Sequence, residues 1–269
     1  MSLFAIFLVV LIGVVVGLIM GLTGAGGGML AVPALVYSQG WTMQEAMPVA
    51  LLAVSLGAFI GAIDGLRRRQ VRYKAALLMA LAGAPMTSFG VFVASQMSQQ
   101  FLMLAFASVL LIVVLRLIMQ VRAGASAAVR SDALAMVNQH TGKFDWTWAT
   151  AAIIGLIGAC AGFATGLLGV GGGFIIVPLL RHFTNLNMQS AAATSLMVIS
   201  LVGAVAVTSA VSHGIQLPIF FSAMFAVASV AGVIGGRKIA NRLDSATVQI
   251  IFAALLCGVA ISFLLKAIA

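Results

Sequence analysis

The chain is poor in charge. Only 7% of its 269 residues are Asp, Glu, Lys or Arg, whereas 63% are hydrophobic. A soluble domain carries about 25% charged residues and needs them to cover a water-facing surface. This chain cannot do so, and a mean hydropathy of +1.21 places it in the bilayer. Acids are the scarcest group, five against 14 Lys and Arg, and none sits clearly in the middle of an apolar run, where a proton relay would need one. The net charge of +9 does not mark a nucleic-acid binder, because the basic residues sit in short clusters between apolar runs, the pattern that orients membrane helices. The two cysteines, Cys160 and Cys257, lie far apart inside apolar segments. That excludes a disulfide framework or a metal spacing and predicts plain packing roles. The first twenty residues lack a basic n-region and a small-x-small cleavage site, which predicts a retained membrane segment and not a signal peptide.

Apolar runs are abundant. Stretches of spanning length, about 20 residues, cover 45–64, 74–94, 100–121, 190–211, 216–236 and 247–268. Two longer regions, 3–38 and 147–183, are each interrupted by a glycine string. The first string is Gly21-Leu22-Thr23-Gly24-Ala25-Gly26-Gly27-Gly28, followed by Pro33; the second is Gly166-Leu167-Leu168-Gly169-Val170-Gly171-Gly172-Gly173, followed by Pro178. The strings stand 145 positions apart, and the register continues through Met43/Met188, Gln44/Gln189, Ala46/Ala191, Leu51/Leu196 and Ser55/Ser200. Apolar composition alone would not match the glycines, the proline and the Met-Gln pair together, so the chain is internally duplicated.

Charge orients the halves. The loop Arg67-Arg68-Arg69-Gln70-Val71-Arg72-Tyr73-Lys74 is basic, whereas its counterpart Ser209–Gln216 holds no Lys or Arg. At the next connection the bias reverses: Ser95–Gln100 is uncharged and its counterpart region holds Arg237, Lys238 and Arg242. Lys and Arg favour the cytoplasmic side. The expected fold is therefore an all-α membrane protein, a polytopic helical bundle of two inverted-topology repeats, each with a Gly-rich broken or re-entrant helix. Residues 1–121 form the first repeat, 122–146 a cytoplasmic linker and 147–269 the second repeat. Inversion requires an odd number of crossings per repeat. Three spans plus an element that enters and returns satisfy this, and so do five crossings; both place the termini outside.

Paired interruptions in two halves of a membrane chain point to a transporter's binding site. Glycine permits left-handed turns and close approach to the backbone. Short helices resuming after Gly28 and Gly173 would aim N-termini at the break, and helix N-termini bind anions. The candidate substrate contacts are Gly24, Gly26, Gly27 and Gly28 with Gly169, Gly171, Gly172 and Gly173. The hydroxyls of Ser55, Ser200, Thr194 and Ser195 are placed to complete the coordination, and Thr87 and Ser88 share the third span. Competing structural readings are close helix packing for the glycines and back-bonding to helix carbonyls for the hydroxyls. Arg116 reads as a snorkelling cation near Arg122, and Glu45, Asp64, His182 and His213 as surface or interfacial groups. The pattern calls for a small anionic substrate and the bilayer as partners, with no nucleic acid, metal or cofactor; oligomeric state stays open.

The paired G-x-x-G-x-G-G-G-x4-P strings in a duplicated helical chain of this size resemble the TauE/SafE family of sulfite and organosulfonate exporters. The resemblance implies an inner-membrane permease, not an enzyme, that moves sulfite, sulfoacetate, thiosulfate or a related anion, usually outward. The glycine motifs carry over to Gly21, Gly24, Gly26, Gly27 and Gly28 and to Gly166, Gly169, Gly171, Gly172 and Gly173. The alternatives are an importer or channel of the same architecture and, from another class, a sulfur-handling membrane enzyme with Cys160 as nucleophile. The last needs a base, and no His or carboxylate lies in that span.

Overall fold

A computed structural model of the chain describes residues 3–122, 144, 146–215, 217–240 and 245–268. It contains ten α-helices: α1 (Leu3–Thr23), α2 (Ala31–Gln39), α3 (Met43–Arg67), α4 (Tyr73–Gln96), α5 (Gln99–Arg122), α6 (Trp148–Leu168), α7 (Gly173–Phe183), α8 (Met188–Ser212), α9 (Ile219–Ala240) and α10 (Ser245–Ile268). A 3₁₀ segment, Gly24–Leu30, joins α1 to α2. Eight of these helices, all but α2 and α7, are long and apolar enough to cross a bilayer. The protein is an all-α, multi-pass membrane bundle. Most of the expected linker 122–146, including Arg130, Asp132, His140, Lys143 and Asp145, lies outside the described residues, as does Arg242.

The helices begin where local chemistry satisfies their first N–H groups. Thr42 caps α3 in a reciprocal box: its side chain accepts from the Glu45 N–H, while the Glu45 carboxylate accepts from the Thr42 N–H at 2.9 Å. This is the role of Glu45. Asn187, the equivalent position in the second half, caps α8 by accepting from the Ser190 N–H at 2.8 Å. The outer surface is apolar, with Leu81, Ile112, Leu156, Val227 and Leu265 exposed as a lipid-facing shell requires. Helix α3 is the central element, 72% buried along its spanning window, against 28% for α1 and for α10.

Glycines bring helices of one half against helices of the other. Gly13, Gly17 and Gly21 of α1 lie against Phe225, Ser229 and Val233 of α9, so these two helices run parallel. Gly158, Gly162 and Gly166 of α6 lie against Met79, Gly83 and Thr87 of α4, again parallel. A Cβ on Gly17 or Gly162 would overlap backbone atoms of the facing helix. In lipid no hydrophobic force drives helices together, so such contact between backbones carries the association. Thr87 adds a bond across the second pair, donating to the Gly83 carbonyl at 2.8 Å and the Gly162 carbonyl at 3.0 Å. Helices α3 and α8, equivalent in the two halves, cross antiparallel: Gly203 meets Ser55 and Leu51, Gly61 meets Leu196, and Gly65 meets Ala193.

One end of the bundle gathers the cations. Asp64 pairs with Arg68 at 3.0 Å and with Arg237 at 3.6 Å. Arg72 donates its backbone N–H to the Thr194 hydroxyl at 3.0 Å, and Arg181 at the end of α7 reaches the Met188 sulfur at 3.9 Å. At the other end, where α4 passes into α5 and α8 into α9, the contacts between α3, α4 and α5 are neutral. There Gln44 donates to the Met97 carbonyl at 3.0 Å, and the Met43 N–H donates to the Gln99 side chain at 3.4 Å. Arg116 is exposed on α5, within two turns of the helix's basic end.

Candidate functional site

The two glycine strings share a spacing but not a backbone. In the first, only Gly24 has a positive φ, at 75°; Gly26, Gly27 and Gly28 wind as a 3₁₀ turn that runs directly into α2, the Ala31 N–H donating to the Gly28 carbonyl. In the second, Gly169, Gly171 and Gly172 take φ of 72°, 77° and 63°, and α7 starts afresh at Gly173. The Ile175 and Ile176 N–H groups bond back to the Gly172 carbonyl at 3.0 and 3.1 Å. The N–H groups ahead of them precede any helical acceptor, as at every helix start. The second string thus provides the helix N-terminus expected of both; the first is a continuous helical turn.

The strings meet beside the middle of α3. A Cβ on Gly28 would lie 2.9 Å from Val54 Cγ1 and 3.6 Å from the Val170 carbonyl oxygen. One on Gly171 would lie 3.1 Å from Val54 Cγ1 and from Ile199 Cγ2. Val54 and Ile199 are equivalent positions on the crossing helices, so the glycines converge near the α3–α8 crossing. Gly27 packs on Met20 and Thr23 of its own α1, and Gly172 on Ala161 and Thr165 of α6. Gly24 faces open space.

The hydroxyls separate. Ser55 donates to the Leu51 carbonyl, Ser200 to Met197 at 2.8 Å and Thr194 to Ser190 at 2.7 Å. Thr194 also accepts from Arg72, which ties the start of α4 to α8. Ser55 lies directly under Gly203, at the crossing, where only glycine fits above it. Ser195 is fully buried and its Oγ has no partner within the protein. Of the four, Ser195 alone keeps its hydroxyl unpaired in the structure. Ser88 is half-buried on α4.

A narrow cleft lies on the cation-poor side of this crossing. Its walls are Gln44 and Leu51 of α3, Val91 of α4, Ala206 and Ala210 of α8, and Gly166 at the head of the second string. Met47, also in the wall, packs under Gly169; a Cβ there would sit 2.6 Å from Met47 Cγ. The cleft therefore abuts the second string, although none of the predicted contact residues lines it. Pro48, another wall residue, leaves the Gln44 carbonyl without its helical donor. Gln44 had a signal in the sequence, its exact repetition as Gln189 among so few polar residues. Val91, Ala206 and Ala210 had none.

Other polar candidates take structural places. Cys160 is exposed on α6 and not packed inside, while Cys257 is half-buried. No group of three His, Cys, Asp or Glu suited to a metal occurs among the described residues. His213 bonds the Ser209 carbonyl at 2.8 Å, and His182 stacks edge-on against Phe183.

Comparison with known proteins gives one consistent answer. Residues 9–263 match the family described as "Sulfite exporter TauE/SafE". The chain is 24% identical over 245 residues to the "Probable membrane transporter protein YunE" of Bacillus subtilis (strain 168), covering 88% of each chain. It is 29% identical over 235 residues to a "Probable membrane transporter protein" of Xylella fastidiosa (strain Temecula1), covering 87% of this chain and 84% of the relative. A protein of the same description from Xylella fastidiosa (strain 9a5c) is 31% identical over 202 residues, covering 75% of this chain and 72% of the relative. No solved structure matches.

Proposed function

The chain belongs to the TauE/SafE family of membrane transporters, and from that premise we propose that it is a secondary carrier of the inner membrane that exports a small sulfur-containing oxyanion, sulfite or an organosulfonate, by alternating access. It works without a cofactor and without catalysis of its own. The observation that carries the reading is the convergence of both glycine strings, one of them opening a buried helix N-terminus, on the α3–α8 crossing. A helix N-terminus presents N–H donors and about half a positive charge, enough to hold an anion with no buried cation. The first α7 N–H groups and the neighbouring Gly171 and Gly172 hold the oxyanion, and the cleft beneath Gly169 leads it to one face.

The two halves are inverted repeats in this reading. Support comes from the antiparallel crossing of the equivalent helices α3 and α8, and from the parallel pairs α1–α9 and α6–α4, which exchange when the halves are exchanged. The basic end then faces the cytoplasm, and α1 and α2 enter and return. Gln70→Cys and Ser212→Cys variants, made in a background without Cys160 and Cys257, are expected to label with an impermeant maleimide from opposite faces of the membrane. Labelling from one face only would remove the inversion.

Transport itself is tested in proteoliposomes with sulfite, sulfonates, thiosulfate and carboxylates. Saturable flux with counterflow is expected; ohmic single-channel current would make the protein a channel. An inside-negative potential drives anions outward by about 2.3 kcal/mol per charge per 100 mV. Efflux is therefore expected to accelerate under a K⁺ diffusion potential and to persist with equal pH and equal sodium on both sides. A strict requirement for an ion gradient would show that coupling groups exist.

A further inference from the structure

We propose that the turn joining α3 to α4 is a docking site for the phosphate of an anionic phospholipid, held by Arg67, Arg69 and Arg72. The site is independent of which anion the protein carries. Two observations on the same short turn lead to it, a strained arginine and an arginine with an unpaired donor.

Helix α3 ends in a Schellman turn: the Arg69 N–H donates to the Leu66 carbonyl at 3.0 Å and the Gln70 N–H to the Gly65 carbonyl at 2.9 Å. Helix α8 ends in the same way, the Gly214 N–H donating to Val211 at 3.0 Å and the Ile215 N–H to Ala210 at 3.2 Å. Such a turn needs one left-handed residue, and glycine supplies it without strain. Gly214 does so, with φ of 86°. Arg69 stands at the equivalent position with φ of 57°, the only residue other than glycine with a positive φ among the described residues. An arginine here lowers stability where glycine would not. Strain of this kind points to a side chain retained for a purpose outside the fold. The Arg69 side chain is exposed, and so are those of Arg67 and Arg68.

Three residues on, Arg72 donates its backbone N–H to the Thr194 hydroxyl of α8, which fixes its place. Its Nε is buried and has no hydrogen-bond partner within the protein. A buried N–H without an acceptor is costly, and an acceptor from outside the chain removes the cost. Of the described carboxylates, Glu45 caps the far end of α3, and Asp64 is held by Arg68 at 3.0 Å and Arg237 at 3.6 Å. Arg67, Arg69, Arg72 and Lys74 pair with neither. The matching ligand is an oxyanion, which accepts from the guanidinium fork in charge-assisted bonds. The setting makes it a lipid's. Leu66, Tyr73 and Leu77 are exposed around the turn. Leucines there face acyl chains, and a tyrosine at a helix end sits at headgroup depth. A basic cluster beside a membrane helix recruits anionic headgroups. The equivalent segment Ser209–Gln216, with unstrained Gly214, has no Lys or Arg. Strain and charge are thus present together in one turn and absent together from the other. A lipid bound there reinforces the junction of α3, α4 and, through Thr194, α8.

The test compares the protein in nanodiscs of phosphatidylcholine with and without phosphatidylglycerol. Phosphatidylglycerol should raise the melting temperature of the parent by several degrees, because a ligand of the native state stabilises it. Arg69→Gly relieves the turn. It should melt no lower than the parent in phosphatidylcholine, yet its gain from phosphatidylglycerol should fall by about half. Arg72→Lys keeps the charge and loses the Nε donor, and it should retain phosphatidylglycerol severalfold more weakly in native mass spectrometry. Arg116→Gln removes an exposed charge from α5 and should leave both readings unchanged. Equal losses in Arg116→Gln and Arg69→Gly would mean diffuse charge attraction and overturn the site. So would a parent that gains nothing from phosphatidylglycerol, or an Arg69→Gly variant that keeps the full gain. Inorganic phosphate added to phosphatidylcholine nanodiscs should not raise the melting temperature. A rise that Arg72→Lys abolishes would make the ligand a soluble anion and overturn the lipid assignment.

Discussion

Gly172→Val should abolish transport while the protein still inserts. Gly172 has φ of 63°, a region that side chains other than glycine enter at a cost of about 1–2 kcal/mol. Its Cβ would also stand 2.7 Å from the Ala161 carbonyl oxygen and 2.7 Å from the Thr165 hydroxyl. The first neighbour is backbone and cannot rotate away, so the start of α7 must shift. Displacing a positioning group by about 1 Å can cost on the order of a hundredfold in rate, and here the displaced groups are the proposed anion ligands themselves. Gly27→Val, which meets the Met20 backbone, should behave likewise. Gly24→Ala is the control. It shares the positive φ and its cost of about 1–2 kcal/mol but meets nothing within 4 Å, so stability should fall by that amount and turnover survive. Normal flux in both valine variants would reduce the strings to packing elements.

The second large effect concerns stability. Gly17→Val and Gly162→Val should each lower the melting temperature by similar and large amounts. Overpacking costs about 1–3 kcal/mol where side chains can adjust. At these two sites the obstacle is the backbone of Ser229 or Gly83, so the upper end applies. At roughly 2–4 °C per kcal/mol for a chain of this size, the fall is about 10 °C. Gly258→Val, where a Cβ meets nothing within 4 Å, should leave the melting temperature nearly unchanged. A scanning fluorescence melt of the purified variants separates the cases, and a small shift at Gly17 or Gly162 would mean that the halves are joined elsewhere.

The spans were legible because hydropathy reports immersion in lipid directly: runs at 45–64 and 190–211 became α3 and α8 with their caps added. The glycine strings were legible as interruptions. Their conformations were not, because glycine accepts either sign of φ; the same spacing yields a 3₁₀ turn at Gly24–Leu30 and left-handed residues at Gly169, Gly171 and Gly172. The hydroxyls show the limit of residue type. Thr194 reads as a ligand by residue type, but its bond to the Arg72 backbone, a partner 122 residues earlier, had no signal in the sequence. Apart from Gln44, the cleft was invisible because most of its walls are ordinary apolar residues from four helices. Periodicity tells which face of a helix is buried and says nothing of which helix covers it. The register of Gly21 and Gly166 was plain, but their partners on α9 and α4 were not.

The interlocking of the halves constrains how the protein is made. Helix α1 carries three glycines shaped for α9, and α9 emerges from the ribosome about 200 residues later. At about 5–20 residues per second, that interval is roughly 10–40 s. Throughout it the glycine face of α1 lies in lipid with no native partner, and α4 waits in the same way for α6. The nascent first half is therefore an open template. A second copy's glycine face, or the lateral wall of the insertion machinery, can occupy it until the last helices arrive.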